Sequence, residues 1–176
     1  GVFMTGGNQI RIAATLGGSD VGEALLEVSR GGAVVAGTSA GAAVMTGVMV
    51  AGGDGGRAPS PDLARMAPGL GLIDSVIIDQ HFRERDRVAR LMTMVSYNPG
   101  LLGIGIDEDT AALIQPDGCL EVLGAGTVLI VDGRDMVSNV HSRRGGTPLN
   151  IANAIVHFLT SGSRFDIGGR RAYPGR

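Results

Sequence analysis

Short apolar runs that stop at a glycine or a charge constrain this chain more than any other feature. Residues 2–5 (VFMT), 33–36 (AVVA), 75–78 (SVII) and 102–106 (LGIGI) are each only a few residues long. Runs of that length, rich in β-branched and aliphatic side chains, suit buried strands and are too short for helices. Between them lie segments with helical period. Helices are expected near residues 9–16, at 21–29 with Ser19 or Asp20 capping the start, at 40–45, and at 83–97. In the last of these Val88, Leu91, Met92 and Val95 recur on one face, and Pro99 follows its end. Strands alternating with helices read as crossover units on a parallel sheet.

Beyond Ile106 the pattern changes to short pieces with turns between them. Residues 111–114 and 120–123 flank a Pro116-Asp117-Gly118 turn, and 127–131 and 137–140 continue as antiparallel-looking strands. Residues 150–159 are expected to close the chain as a helix. The glycine- and proline-rich stretch 52–61 is the obvious mobile loop. The expected architecture is therefore α/β, a mostly parallel central sheet flanked by helices, with antiparallel hairpins in the C-terminal part. At 176 residues the chain suits a single domain, 1–176.

Composition narrows the chemistry. A net charge of −2 provides no basic field for nucleic acid, and no apolar run approaches the ~18 residues of a membrane span. All 15 basic residues are arginine, so Schiff-base lysines, Ser–Lys dyads and a phosphate-loop lysine are excluded. A lone cysteine, Cys119, excludes an internal disulfide framework and a Cys-rich zinc site. A cytoplasmic, reducing setting is the expectation, although a secreted protein without disulfides has the same composition.

The sharpest local signal is Gly37-Thr38-Ser39-Ala40-Gly41, a G-x-S-x-G run between an apolar strand and a helix-forming stretch. That is the context of a nucleophile elbow, in which glycines make room for a strained turn and the following helix aims amides at the serine. The alternative is a glycine-rich turn whose serine only caps the helix. Catalysis requires a base, and the chain has three histidines. His157 lies in the apolar segment AIVHFL and His141 in a polar loop. His81 follows the strand SVIID, at the sheet edge where Ser39 would also sit, and is the best candidate. A third group should orient the imidazole. The acids of IDEDT, namely Asp107, Glu108 and Asp109, follow the strand LLGIGI, and spacing alone does not separate them.

Four blocks, TGGNQ (5–9), GTSAGAAVM (37–45), DQHFRERDRVARL (79–91) and GIGIDEDTA (103–111), resemble in order and approximate spacing the cyanophycinase family of S51 serine peptidases. The segment VDGRDMVSNV resembles the family's ending more loosely. The resemblance implies Ser39 as nucleophile, His81 as base and Glu108 as acid, an order different from the Ser, acid, His order of α/β-hydrolases. It implies an oxyanion hole from the Gly6-Gly7 turn, with Gly7, and Ala40. Gln9, Asp79, Gln80, Arg85, Arg87 and Arg90 match positions that shape the family's substrate pocket.

The implied fold is flavodoxin-like, similar to class I glutamine amidotransferases, which carry cysteine at the elbow. The implied substrate is cyanophycin, a poly-Asp backbone with Arg on each β-carboxylate, cut to β-Asp-Arg dipeptides without metal or cofactor. Arginines suit its carboxylates, and Asp79 would answer its guanidinium. Without the resemblance, the Arg/Asp/Glu run reads as a solvated helix face with i,i+3 and i,i+4 pairs. Family chains carry further βα units before the TGG block, whereas GVFMTGG enters a strand pattern at once. The chain is thus expected to be the later part of a longer polypeptide, with a separate N-terminal fragment and a homodimer as expected partners. Two other functions fit the same residues. One is a serine dipeptidase acting on small aspartyl or isoaspartyl peptides, and the other is an inactive homologue that binds peptides.

Overall fold

In the computed structural model, residues 1–175 are described. The first half contains β1 (Val2–Met4), α1 (Gln9–Leu16), α2 (Asp20–Arg30), β2 (Val35–Gly37), α3 (Ala40–Ala43), β3 (Val48–Gly52), β4 (Arg65–Pro68), β5 (Val76–Gln80) and α4 (Val88–Tyr97). The second half is nearly all strand. It comprises β6 (Leu102–Ile106), β7 (Thr110–Ile114), β8 (Cys119–Gly124), β9 (Thr127–Asp132), β10 (Val137–Ser138), β11 (Ile151–Ala152), β12 (Ile155–Thr160), β13 (Arg164–Asp166) and β14 (Arg171–Tyr173). Asn8 and Ser19 cap α1 and α2 by accepting from the Arg11 and Gly22 amides, which satisfies donors that a helix start leaves free.

The fold is mixed α/β, and its parallel pairing is narrower than expected. Parallel neighbours are β1 with β2 and β5 with β6. In the four-stranded sheet β12-β9-β6-β5, β9 runs antiparallel to both of its neighbours, β6 and β12. Turns and loops rather than crossover helices connect the strands after Ile106, and parallel neighbours need such a crossover. A second antiparallel sheet, β14-β13-β8-β7, packs on this one.

Side-chain alternation explains the layers. Val76, Ile78, Leu102 and Ile104 face the second sheet, where they meet Leu120, Val122 and Phe165. On the opposite face Ile77, Leu129 and Val131 pack with Leu91, Met94 and Val95 of α4. The glycines of LGIGI fall on that helix side. A Cβ at Gly103 would lie 2.7 Å from Val95 and 2.9 Å from Leu91, and one at Gly105 would lie 2.6 Å from the Phe82 ring. Both positions therefore admit only hydrogen, so that α4 and the buried Phe82 can sit close to the strand.

Strands β3, β4, β13 and β14 were not foreseen from the sequence, and two expected helices differ in the structure. The helix expected over 83–97 begins only at Val88, after a 3-10 turn at Arg83–Arg85 and a left-handed Asp86 at φ 49°. Arg87 and Arg90 turn inward to a buried carboxylate, and this draws the start of the segment out of helical register. Val88 is consequently 41% exposed, while Leu91, Met94 and Val95 carry the apolar face. The helix expected over 150–159 is instead β11, a left-handed Asn153 and β12. IVHFLT is β-branched and aromatic, and it pairs along its full length with β9, whose edge is otherwise open. Smaller shifts place β2 at Val35–Gly37 and end β10 at Ser138, followed by a 3-10 turn at Val140–Ser142. Among the described residues no helix is long and apolar enough to cross a membrane.

Candidate active site

At the end of β2 the chain reverses within one residue. Ser39 has φ 53° and ψ −116°, a conformation that is strained for a side-chain-bearing residue. Glycine is obligatory on both sides of it. A Cβ at Gly37 would lie 2.3 Å from the Gly41 carbonyl oxygen, and one at Gly41 would lie 2.2 Å from the Met4 carbonyl oxygen. Although Ser39 occupies the cap position of α3, its hydroxyl makes no capping bond. Oγ lies instead 2.9 Å from Nε2 of His81.

His81 follows β5 with a left-handed backbone, φ 48°. Its Nδ1 is 2.7 Å from Oε1 of Glu108. Since a carboxylate only accepts, Nδ1 carries the proton and Nε2 is left to accept from the serine hydroxyl. The His81 side chain is 28% exposed and that of Glu108 is 52% exposed, so the pair opens to solvent on one side.

The histidine and the acid are held by an extension of the β5–β6 ladder. Phe82 N donates to Ile106 O at 3.1 Å, Arg83 N to Asp107 Oδ1 at 3.1 Å, and Glu108 N to Glu84 Oε2 at 3.3 Å. The three acids left open by spacing thus separate. Glu108 reaches His81. Asp109 is an exposed left-handed turn residue whose carbonyl accepts from Ala125 N. Asp107 is buried, and its Oδ2 accepts from Thr127 N at 2.9 Å and Thr127 Oγ1 at 2.6 Å. Asp107→Ala is expected to lower unfolding stability by roughly 2–4 kcal/mol, because it strands several donors. Urea denaturation measures this, and a loss under about 0.5 kcal/mol would mean that water replaces the carboxylate.

Beneath the site lies a charged core. Asp79 is fully buried and receives Arg90 through two bonds, Nε to Oδ2 at 2.9 Å and Nη2 to Oδ1. Arg87 Nη1 reaches the same Oδ1 at 3.3 Å, Gln80 Oε1 at 3.1 Å and the Gln80 carbonyl. Burial pushes the Arg87 pKa below the ordinary arginine value. Asp79 opposes that shift, while Arg90 and Arg85 add to it. Arg87 Nε has no partner among the described residues. Arg87 and Arg90 therefore do not form a solvated helix face.

A cavity of about 260 Å³ connects these groups, lined by Ser39, His81, Gln9, Gln80, Arg85, Arg87 and Arg90 together with Gly7, Gly52, Gly53 and Asp54. Gln9 is fixed by donation to Val50 O at 2.9 Å. Asp79 does not line the cavity, because its carboxylate is enclosed with the two arginines. Asp54 was not among the sequence-derived candidates. Its signal was a single carboxylate within the glycine run AGGDGG of the expected loop. Ala40, first in α3, is buried and has no helical acceptor for its amide, and Gly7, at φ 133°, is on the cavity wall. A larger hollow of about 490 Å³ beside β10 and β11 has no titratable side chain in its wall. Among the described residues no three His, Cys, Asp or Glu side chains converge as a metal site needs.

The peptidase family S51 model matches residues 1–122, the stretch that contains every one of these site residues. The chain belongs to peptidase family S51. This S51 chain is 47% identical over 176 residues to the cyanophycinase of Trichormus variabilis and likewise to that of Nostoc sp., covering 99% of its own length and 59% of each relative. To the cyanophycinase of Geminocystis herdmanii it is 46% identical over 167 residues, which is 94% of the chain and 61% of the relative. It therefore spans about three fifths of the length of these relatives.

Proposed function

We propose that this S51 chain carries the catalytic centre of a serine-type exopeptidase that hydrolyses cyanophycin to β-Asp-Arg dipeptides through Ser39, His81 and Glu108. The observation that supports this most is the unbroken relay of short contacts, Ser39 Oγ to His81 Nε2 at 2.9 Å and His81 Nδ1 to Glu108 Oε1 at 2.7 Å. It occurs in a chain closely similar to proteins named cyanophycinase.

In this reading Ser39 Oγ attacks a backbone amide carbon of the polymer while His81 Nε2 takes the hydroxyl proton. Glu108 holds the tautomer and stabilises the imidazolium. The oxyanion receives the Ala40 and Gly7 amides; a donor of this kind is worth about 10²–10³ in turnover. The C–N bond then breaks as His81 returns its proton to the leaving amine. Water, deprotonated by the same imidazole, hydrolyses the acyl-serine and restores Ser39. Arg85, Arg87, Arg90, Gln9 and Gln80 line the space for the polymer's terminal unit, with Asp79 holding Arg87 and Arg90 in place.

The cavity, about 260 Å³, is below the ~300–1,000 Å³ of ordinary ligand pockets, which favours one terminal unit over a length of chain. The same size favours a second reading, a serine dipeptidase for small β-aspartyl peptides. Incubation with cyanophycin and, separately, with short isoaspartyl peptides distinguishes the two by mass spectrometry of the products. Release of β-Asp-Arg from the polymer is the expected result, and cleavage of the short peptides alone would overturn it.

The pairs β1–β2 and β5–β6 belong, in the same reading, to one class I glutamine amidotransferase-like sheet. The exposed Phe3, Val34, Ile10 and Val21 around β1–β2 suit cover by further βα units of a longer polypeptide.

A further inference from the structure

Among the described residues, Asp54 is the only carboxylate in the wall of the catalytic cavity. Among the described residues it belongs to no ion pair, and neither does Arg85. Two opposite charges therefore line one small space without neutralising each other. The flanking glycines of AGGDGG would suggest a freely moving tip, but the backbone on both sides of Asp54 is held. Gly53 O accepts from Arg90 Nη1, and Arg90 is itself anchored on the buried Asp79. After Asp54 the loop presses on the segment that carries Arg85. A Cβ at Gly55 would lie 2.2 Å from the Arg85 carbonyl oxygen and 2.7 Å from that of Asp86. The glycines thus permit close approach to both anchors, and Asp54 is presented to the cavity between them.

The geometry points to Asp54 as the acceptor of the substrate's arginine side chain, and hence as the residue that sets specificity for arginine. This rests on the proposed cyanophycin reading. A guanidinium meets a carboxylate through two parallel charge-assisted bonds. The terminal unit of the polymer carries on one arginine both a guanidinium and a free carboxylate. The unpaired Asp54 and Arg85 complement that pair of charges. Because the contact lies away from the scissile amide, it serves to seat the reacting carbonyl beside Ser39.

Two measurements on the wild-type protein and on Asp54→Asn, an exposed isosteric change, test the assignment. One is hydrolysis of short β-Asp-Arg oligomers and of matched oligomers with citrulline, the neutral isostere of arginine. The other is calorimetric binding of the dipeptides β-Asp-Arg and β-Asp-citrulline. Wild type is expected to prefer arginine by about tenfold or more in kcat/KM and in Kd, and Asp54→Asn to lose that preference through a raised KM. Equal handling of arginine and citrulline by wild type, or a preference that survives in Asp54→Asn, overturns the assignment while leaving the hydrolase reading intact. Arginine-selective binding that depends on Asp54 without any hydrolysis supports the assignment and overturns the hydrolase reading. Neither hydrolysis nor binding overturns both.

Discussion

Under the proposed function, Ser39→Ala is expected to reduce β-Asp-Arg release from cyanophycin by roughly 10⁴–10⁶-fold, the range seen when a serine nucleophile is deleted from a triad. Ser39 Oγ is within hydrogen-bond reach of His81 Nε2, and the other residues of the cavity wall carry no hydroxyl or thiol. No second nucleophile can therefore take over, and the residual rate would come from bound water and the oxyanion donors alone. The fold should be nearly unaffected. The hydroxyl does not cap α3, and alanine keeps the Cβ that the strained turn already accommodates. Chromatography of the released dipeptide, with thermal unfolding in parallel, measures both effects. A folded Ser39→Ala protein retaining more than about one hundredth of wild-type turnover would place the nucleophile elsewhere, since that exceeds by about 10² what the oxyanion hole supplies.

The second large effect is expected at Asp79. Removing its carboxylate by Asp79→Ala leaves the guanidinium of Arg90 and that of Arg87, both buried, without their counter-charge. Stranding a buried charge costs about 3–5 kcal/mol, a large part of the ~5–15 kcal/mol that holds a domain folded. The damage should reach the site as well, because Arg90 also holds Gly53 O and so the loop bearing Asp54. Urea denaturation would read the fall as a lower midpoint, with a rise in KM for any protein that remains folded. A loss below about 1 kcal/mol would mean that both arginines swing out to water and that Asp79 is not what fixes them.

The nucleophile turn was legible at the level of residues, because its requirement is local. Gly37 and Gly41 flank Ser39 at a spacing dictated by contacts with the chain's own carbonyls, and such a requirement is written in the sequence. Of the short strands of the first half, β1, β2 and β5 were legible for the same reason, as apolar runs of strand length, whereas β3 and β4 were not foreseen. The cap of α2 was legible only as Ser19 or Asp20, and the structure selects Ser19. The family itself follows from blocks of residues at fixed spacing, and the match over residues 1–122 bears it out.

The segment 150–159 was not legible. Ten residues mixing β-branched, aromatic and polar side chains carry no decisive period, and pairing with the open edge of β9 settled them as strand. Nor could spacing choose among Asp107, Glu108 and Asp109. Successive side chains leave the end of a strand in opposite directions, and the packed neighbours, Thr127 on one side and His81 on the other, determine which acid points where. In the sequence Asp79 follows an apolar strand run and Asp54 lies in a glycine-rich loop, and neither position tells whether the acid is paired. The tertiary structure enclosed one with two arginines and left the other unpaired in the cavity. By itself, then, the sequence determined the strained serine turn, the strand-forming runs and the family, all of which rest on contacts within a few residues or on motif spacing. Which charges are neutralised and which remain available for chemistry was decided only by the tertiary structure, because that depends on what distant segments bring within about 4 Å of a charged group.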